Sequence, residues 1–325
     1  MKFKITVGTV LFTLLVTYAS EAQRRKTPFE QYSTVGFGLG TSSYIGELAP
    51  YRYPVRTVFK MMRWNVNANY TRHFTPNLAA RLGFTWARMA GDDEFYNRGG
   101  QPLPDFYVRN LHFRNDIKEL SVVGIYKFRG DGRSPNRRVA FTPYVFAGVA
   151  VLAHNPKAKT PQSPDYDNNW VALQPLGTEG QGQPGYAKPY SLVTYAIPVG
   201  IGFTWRVNNQ WNVGFEGGIR LTGSDYLDDA GGFFPDPAVL KNDLARAMSN
   251  RTNEPIAART GRDRTDIVRS IVYPNEPSID PFATKPLSGW AQGDPRGGGQ
   301  NDIYLLSSIK VSYVLPSKIK CPPIR

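Results

Sequence analysis

The sequence predicts an all-β protein: an eight-stranded antiparallel up-and-down transmembrane β-barrel with long extracellular loops and one short loop helix. Two observations carry that reading. Eight stretches alternate apolar and polar residues one by one, and the connections between them are long and short in turn. Both are features of outer-membrane barrels, whose strands are apolar toward lipid and polar toward the lumen. In the second stretch Trp64, Val66, Ala68 and Tyr70 share one parity and Arg63, Asn65, Asn67, Asn69 and Thr71 the other. Side chains of a strand point to alternate faces, so the two sets face opposite ways.

The ends of the chain frame the barrel. Lys2 and Lys4 precede an apolar core from Ile5 to Val16, and Ser20-Glu21-Ala22 forms a small-x-small cleavage site before Gln23. This predicts an export signal over residues 1–22. The core is too short for a spanning helix, which needs about 20 apolar residues. Residues 23–315 are then the barrel domain and 316–325 a periplasmic tail. No Cys follows the cleavage site, so no lipid anchor is expected, and the single Cys321 excludes an intramolecular disulfide. Hydrophobic residues make up 41% of the chain and mean hydropathy is −0.38. The formal charge of +13 is dispersed rather than clustered. In an exported chain that argues against nucleic acid and for anionic surfaces such as lipid headgroups or an acidic partner.

Strands are predicted over residues 32–41, 62–73, 78–89, 113–128, 140–153, 190–206, 210–222 and 302–315. Thr75-Pro76-Asn77 and Asn208-Asn209 supply turn chemistry between the second and third and the sixth and seventh. A modest loop through Gly130-Asp131-Gly132 joins the fourth to the fifth. The other connections, 42–61, 90–112, 154–189 and 223–301, are long. Both ends of an even-stranded barrel lie on one side, with short periplasmic turns, so all four long loops are expected outside the cell.

Charge assigns the faces. Trp211, Val213, Phe215, Ile219 and Leu221 oppose Asn212, Glu216, Arg220 and Thr222 in the seventh strand. Arg or Lys facing mid-bilayer lipid costs roughly 2–4 kcal/mol, so the charged faces point inward. The inward set Arg63, Arg81, Glu119, Glu216, Arg220 and Lys310 carries both signs. It is expected to pair across and plug a lumen only wide enough for side chains. The fifth and sixth strands are apolar on both faces and give no orientation. In the last loop, Asp236 ahead of Pro237, followed by Leu240, Leu244 and Met248, predicts one helix near 237–248. Gly297-Gly298-Gly299 and many Arg, Asn and Pro predict a mobile remainder.

No catalytic set and no cofactor site emerges. His73, His112 and His154 are scattered; His112, His154 and Asp225 could converge on the outer rim as a barrel hydrolase or acyltransferase would need, but nothing in their spacing requires it, and they are expected as solvated rim residues. In Asp225-Tyr226-Leu227-Asp228-Asp229, the carboxylates of Asp225, Asp228 and Asp229 are weak candidates for a hard cation and better candidates for loop caps. Gly177-Thr178-Glu179-Gly180-Gln181-Gly182 follows no βαβ strand and reads as an exposed loop, not a phosphate cradle.

Several stretches together resemble a family. They are Gly36-Phe37-Gly38-Leu39-Gly40, Tyr44-Ile45-Gly46-Glu47-Leu48, and Arg109-Asn110-Leu111-His112-Phe113 leading to Glu119. Phe141-Thr142-Pro143-Tyr144 with Phe146-Ala147-Gly148, Asn155-Pro156-Lys157-Ala158, Leu173 to Gly180, and Asp225 to Asp229 complete the set. The chain resembles the Bacteroidota outer-membrane proteins related to PorG, the DUF6089 group. The resemblance implies an integral outer-membrane barrel, contact with periplasmic ring components of the type IX secretion machinery, and no catalytic residues. On the periplasmic tail, Lys318, Lys320 and Arg325 suit an acidic partner. The leading expectation is a non-enzymatic envelope anchor or scaffold in outer-membrane lipid. The alternatives are a surface receptor or small-solute binder using the outer loops, and a soluble lipocalin-like binder with its apolar face inward.

Overall fold

The computed structural model describes residues 29–49, 54–97, 104–283 and 290–316. The export segment 1–22 and the tail residues Lys318, Lys320, Cys321 and Arg325 lie outside them.

Eight long strands form the wall: β1 Tyr32–Ile45, β2 Arg63–His73, β3 Leu78–Asp92, β4 His112–Lys127, β5 Phe141–Ala153, β6 Val193–Arg206, β7 Trp211–Thr222 and β8 Ile303–Val314. Each pairs antiparallel with its sequence neighbours, and β1 closes on β8 from Thr34 opposite Val314 to Ile45 opposite Ile303. The sheet is therefore a closed eight-stranded antiparallel barrel with no free edge. Short turns gather at one end. The Thr75 hydroxyl oxygen accepts from the amide of Leu78 at 2.9 Å, and the Asn208 side chain accepts from the amides of Gln210 and Trp211, both at 2.8 Å. The long loops gather at the other end.

The apolar parity faces out. Trp211, Phe215 and Leu221 on β7 are about 40% exposed, whereas Asn212, Glu216, Arg220 and Thr222 are buried. An apolar exterior over a polar interior is the reverse of a lipocalin, so the soluble alternative falls. Aromatic pairs band both ends of the wall. Trp64 packs edge-on against Trp86 at 5.0 Å near the long loops, and Trp211 packs on Tyr313 at 5.0 Å near the short turns.

The structure also orients β5 and β6. Val145, Val149 and Val151 of β5 share the outward parity with Val193, Ile197, Val199 and Ile201 of β6. The inward face of β6 carries Ala196, Pro198, Gly200 and Gly202. A Cβ on Gly200 would lie 2.4 Å from the Phe146 ring, and one on Gly202 2.6 Å from that of Tyr144. β6 is thus stripped of side chains where two β5 rings fill the lumen. Counting Ala, Gly and Pro with the aliphatics hides that asymmetry.

The outer loops differ from expectation. Four short helices, rather than one, occur among the described residues: α1 Pro54–Lys60, α2 Pro104–Arg109, α3 Asp243–Ser249 and α4 Thr265–Val272. The helix expected near 237–248 is broken. Asp236 caps only the 3-10 turn Pro237–Val239, Leu240 is extended, and Asn242 caps α3 by accepting from the Ala245 amide at 2.8 Å. A second cap six residues on restarts the chain, so one apolar i, i+4, i+8 series spans two elements. The described remainder is packed, not mobile. Phe234, Val268 and Trp290 of the last loop join Tyr107 and Val108 in one apolar cluster, and Met248 joins Ala158 and Leu173 in another. The loops form a folded cap over the barrel mouth.

Beneath the cap, Leu48, Met61, Met89, Phe113, Leu152 and Leu227 belong to an apolar plug in the outer half of the lumen. The half of the lumen near the short turns holds a polar cavity of about 80 Å³ lined in part by Tyr32, His73, Lys127 and Asp131. That is room for a few waters at about 30 Å³ each, not a channel.

Candidate functional site

Among the described residues, buried charged side chains meet in the middle of the lumen, where the sequence placed them, at the short-turn end, where Lys127 bonds Asp131, and at the mouth under the cap, where mostly it did not.

In the lumen, Glu216 of β7 is bonded by Arg81 of β3, by Lys310 Nζ of β8 at 2.6 Å and by the Tyr144 hydroxyl of β5 at 2.9 Å. One step outward, Glu119 of β4 accepts from the Tyr304 hydroxyl at 2.5 Å and lies 3.4 Å from Arg220. Five of the six expected residues therefore form two adjoining cross-lumen groups. Arg63 does not join them. It shares the inward parity but stands at the outer end of β2, donating to the Met62 carbonyl at 2.9 Å. Three donors on one carboxylate compensate the burial of Glu216, and the crossing bonds tie opposite walls together.

At the mouth, β1 ends by presenting Tyr44 to three buried carboxylates. Its hydroxyl lies 2.5 Å from Asp302, 2.7 Å from Asp228 and 3.4 Å from Glu47. Backbone amides hold the other oxygens: Leu227 donates to Asp302 at 2.8 Å, Ala230 to Asp228 at 2.9 Å and Gly298 to Glu47 at 3.1 Å. Tyr44 has one proton to give, so crowded carboxylates share a site poor in cations. Burial, then the mutual repulsion of the set, pushes Asp228 and Asp302 well above the usual carboxylate range. Burial and the Asp225 charge push Glu47 up to about 7. Asp225 itself is pushed up to about 7 by burial and by the charges of Asp228 and Glu179. Glu47, Asp228 and Asp302 each offer one oxygen within 4.8 Å of the others, a donor type that suits either retained protons or a hard cation.

The acidic run thus divides. Asp228 enters the cluster and Asp225 stands beside it. Asp229, in the left-handed region with φ 71°, turns to the cap, accepting from Thr178 at 2.5 Å, Tyr190 at 2.7 Å and Arg296 at 3.3 Å. Gly177 to Gly182 is not an exposed loop either, since Thr178, Glu179 and Gln181 are buried.

Buried arginines fasten the cap. Arg109 bonds both oxygens of Asp93 at 2.8 and 2.9 Å and the carbonyls of Arg296 and Glu47 at 2.8 and 3.0 Å. Arg264 donates to the carbonyls of Tyr107, Val108 and Thr252 at 2.9, 3.0 and 2.7 Å. His112 and His154 are buried as well. His112 Nε2 accepts from the Lys159 amide at 3.0 Å, and His154 Nε2 bonds the Ser191 carbonyl at 3.0 Å. Burial pushes His154 down to about 4, so it stays neutral in the fold. Sequence reasoning missed Tyr44, Glu47, Arg109, Arg296 and Asp302 as site residues. Tyr44, Glu47 and Arg109 do lie in the stretches that carry the family resemblance.

Comparisons add the following. A search by sequence found no match among curated proteins. By structure the chain is similar to Ail, the attachment invasion locus protein of Yersinia pestis, with TM-score 0.36 and 7% identity over 88% of this chain and 100% of Ail. It is similar to Neisserial surface protein A with TM-score 0.36 and 9% identity over 87% and 98% of the two chains. For OprG of Pseudomonas aeruginosa the TM-score is 0.33, with 10% identity over 90% and 98%. The fold itself stands on the closed strand register. A family profile described as Domain of unknown function (DUF6089) matches residues 8–174, and the chain belongs to that family.

Proposed function

We propose that this protein is a closed, non-conducting outer-membrane barrel, non-enzymatic, that serves as an envelope anchor or interaction scaffold and acts as an accessory of type IX secretion. The observation that carries the reading is the blockage of the lumen in successive layers: cap, apolar plug and the Arg81–Glu216–Lys310 group. A barrel so filled offers surfaces, not a pathway. The apolar belt with aromatic residues at both ends supports outer-membrane lipid as its surroundings and periplasmic termini as its orientation. The periplasmic turn 128–140 exposes Arg129, Arg133 and Arg137, which favours an acidic partner there, as do Lys318, Lys320 and Arg325 of the tail.

Crosslinking from position 133 in intact envelopes, with identification of the captured protein, tests the assignment. Capture of a periplasmic ring component supports it. Capture only from the outer loops, with secretion unaffected by tail deletion, moves the assignment to a surface receptor.

A further inference from the structure

We propose that the outer face where β3 and β4 meet the short strand Lys157–Lys159 binds the phosphate groups of outer-leaflet lipid; this rests on the outer-membrane reading above. The outward parity of β4 changes character along its length. Tyr126, Val122 and Leu120 face lipid, and then come Lys118, Asp116 and Arg114. Lys118 stands opposite Trp86 in the register, so the first cation lies level with the outer aromatic band. Beyond it, Arg114 is the direct cross-strand partner of Lys157. Lys157 and Lys159 share one face of their strand, opposite the buried Ala158, and Lys159 is paired with Trp170, over whose ring Arg114 sits at 4.3 Å. Four cations and two indoles therefore share one outward surface at the level of the headgroups.

The nearby negative charge is already used. Asp116 binds Arg88 through two bonds at 2.6 and 3.0 Å. Among the described residues no carboxylate forms an ion pair with Arg114, Lys118, Lys157 or Lys159. Like charges directly opposite on neighbouring strands are destabilising, so the Arg114–Lys157 pair calls for an anion between or above them. The surface continues the lipid-facing belt without a break. The anion in reach is a phosphorylated headgroup whose acyl chains lie on Leu120, Val122 and Val151, with the indoles at the boundary.

The test uses the full chain, refolded into phosphatidylcholine vesicles containing a minority of phosphatidic acid. Lipid retained after mild detergent extraction is read by native mass spectrometry, and heat-modifiable gel mobility reports insertion. Wild type is expected to retain phosphatidic acid over phosphatidylcholine. The Arg114→Gln/Lys118→Gln/Lys157→Gln variant should insert normally and lose that preference by about fivefold per cation removed. If the triple variant does not fold, Lys118→Gln alone, at an exposed position, should still show the fivefold loss. An inserted wild type without preference, or a triple variant that keeps it, overturns the assignment. Displacement of the lipid by inorganic phosphate at matched concentration overturns it in favour of a free-anion site. Failure of wild type to insert into any vesicle overturns the outer-membrane reading and the lipid site together.

Discussion

The Tyr44 hydroxyl and an Asp302 carboxylate oxygen lie 2.5 Å apart although 258 residues separate them. Through this contact the end of β1 holds the last residue before β8, with Asp228 and Glu47 pressed against the same hydroxyl.

Stability of the cap should therefore depend on pH in a definite direction. Glu47 rises from 4.5 and Asp225 from 3.8, each to about 7 in the folded state. These two groups hold more protons in the folded than in the unfolded protein across that window, so the stability they contribute falls as pH rises from about 4 to about 7. Protection of the amides of Leu227, Ala230 and Gly298 from hydrogen exchange, relative to the intrinsic rate at each pH, should be greater at pH 5 than at pH 8. Lower protection at pH 5 would contradict retained protons. Loss of protection on chelation at pH 8, restored by Ca²⁺, would show a cation as the countercharge instead.

Glu216→Leu should destabilise the barrel by about 3–5 kcal/mol, because it strands Arg81 and Lys310 without their partner. Replacing all three residues with apolar ones of similar volume should recover most of the loss. Urea titration followed by gel mobility measures both. Equal stability of the single variant and wild type would remove the lumen bonds from any role in holding the wall together.

Spin labels at 64, 66 and 213, and at 145 and 199 on the strands whose sequence gives no orientation, should be accessible to lipid-soluble oxygen and shielded from aqueous quenchers. Quencher access at 145 or 199 would contradict the parity of β5 and β6.

Planar bilayers should show no steady open-channel conductance. Removing residues 230–296 should leave a heat-modifiable barrel that still does not conduct, since the Arg81–Glu216–Lys310 layer lies below the cap. The same deletion should make residues 104–111 and 154–192 protease-sensitive, because they lose Arg264 and Arg296 as partners. Stable pore-like steps in the deleted protein would place the block in the cap.

How much of this was legible depended on the range of the interactions. The wall was readable because its pattern is local. Trp211 to Thr222 alternates with period 2, and each long or short gap follows from barrel topology. The crossing of Arg81 and Glu216 followed from parity and lumen width. The cap was not readable, because Arg109 reaches the Glu47 carbonyl, and Arg296 reaches Glu179 and Asp229, across loops distant in sequence. Arginine-rich and glycine-rich composition normally signals solvated chain. Here Arg264 is buried by spending its donors on backbone carbonyls, which leave no trace in composition. The metal candidates were half legible: Asp228 was visible in its run, while Glu47 and Asp302 flank the first and last strands and are neighbours only once the barrel closes.

The pairing of β1 with β8 sets an order of events. These two strands meet last, since every other neighbouring pair is joined by a shorter stretch of chain, and non-local pairing is slow. Tyr44 belongs to one side of that seam and Asp302 to the other. The carboxylate cluster is assembled only when the seam shuts, so locking of the outer loops reports completion of the cylinder during insertion. A chain arrested with its first and last strands apart would carry an unfastened lid, visible to added protease before any defect in the wall is.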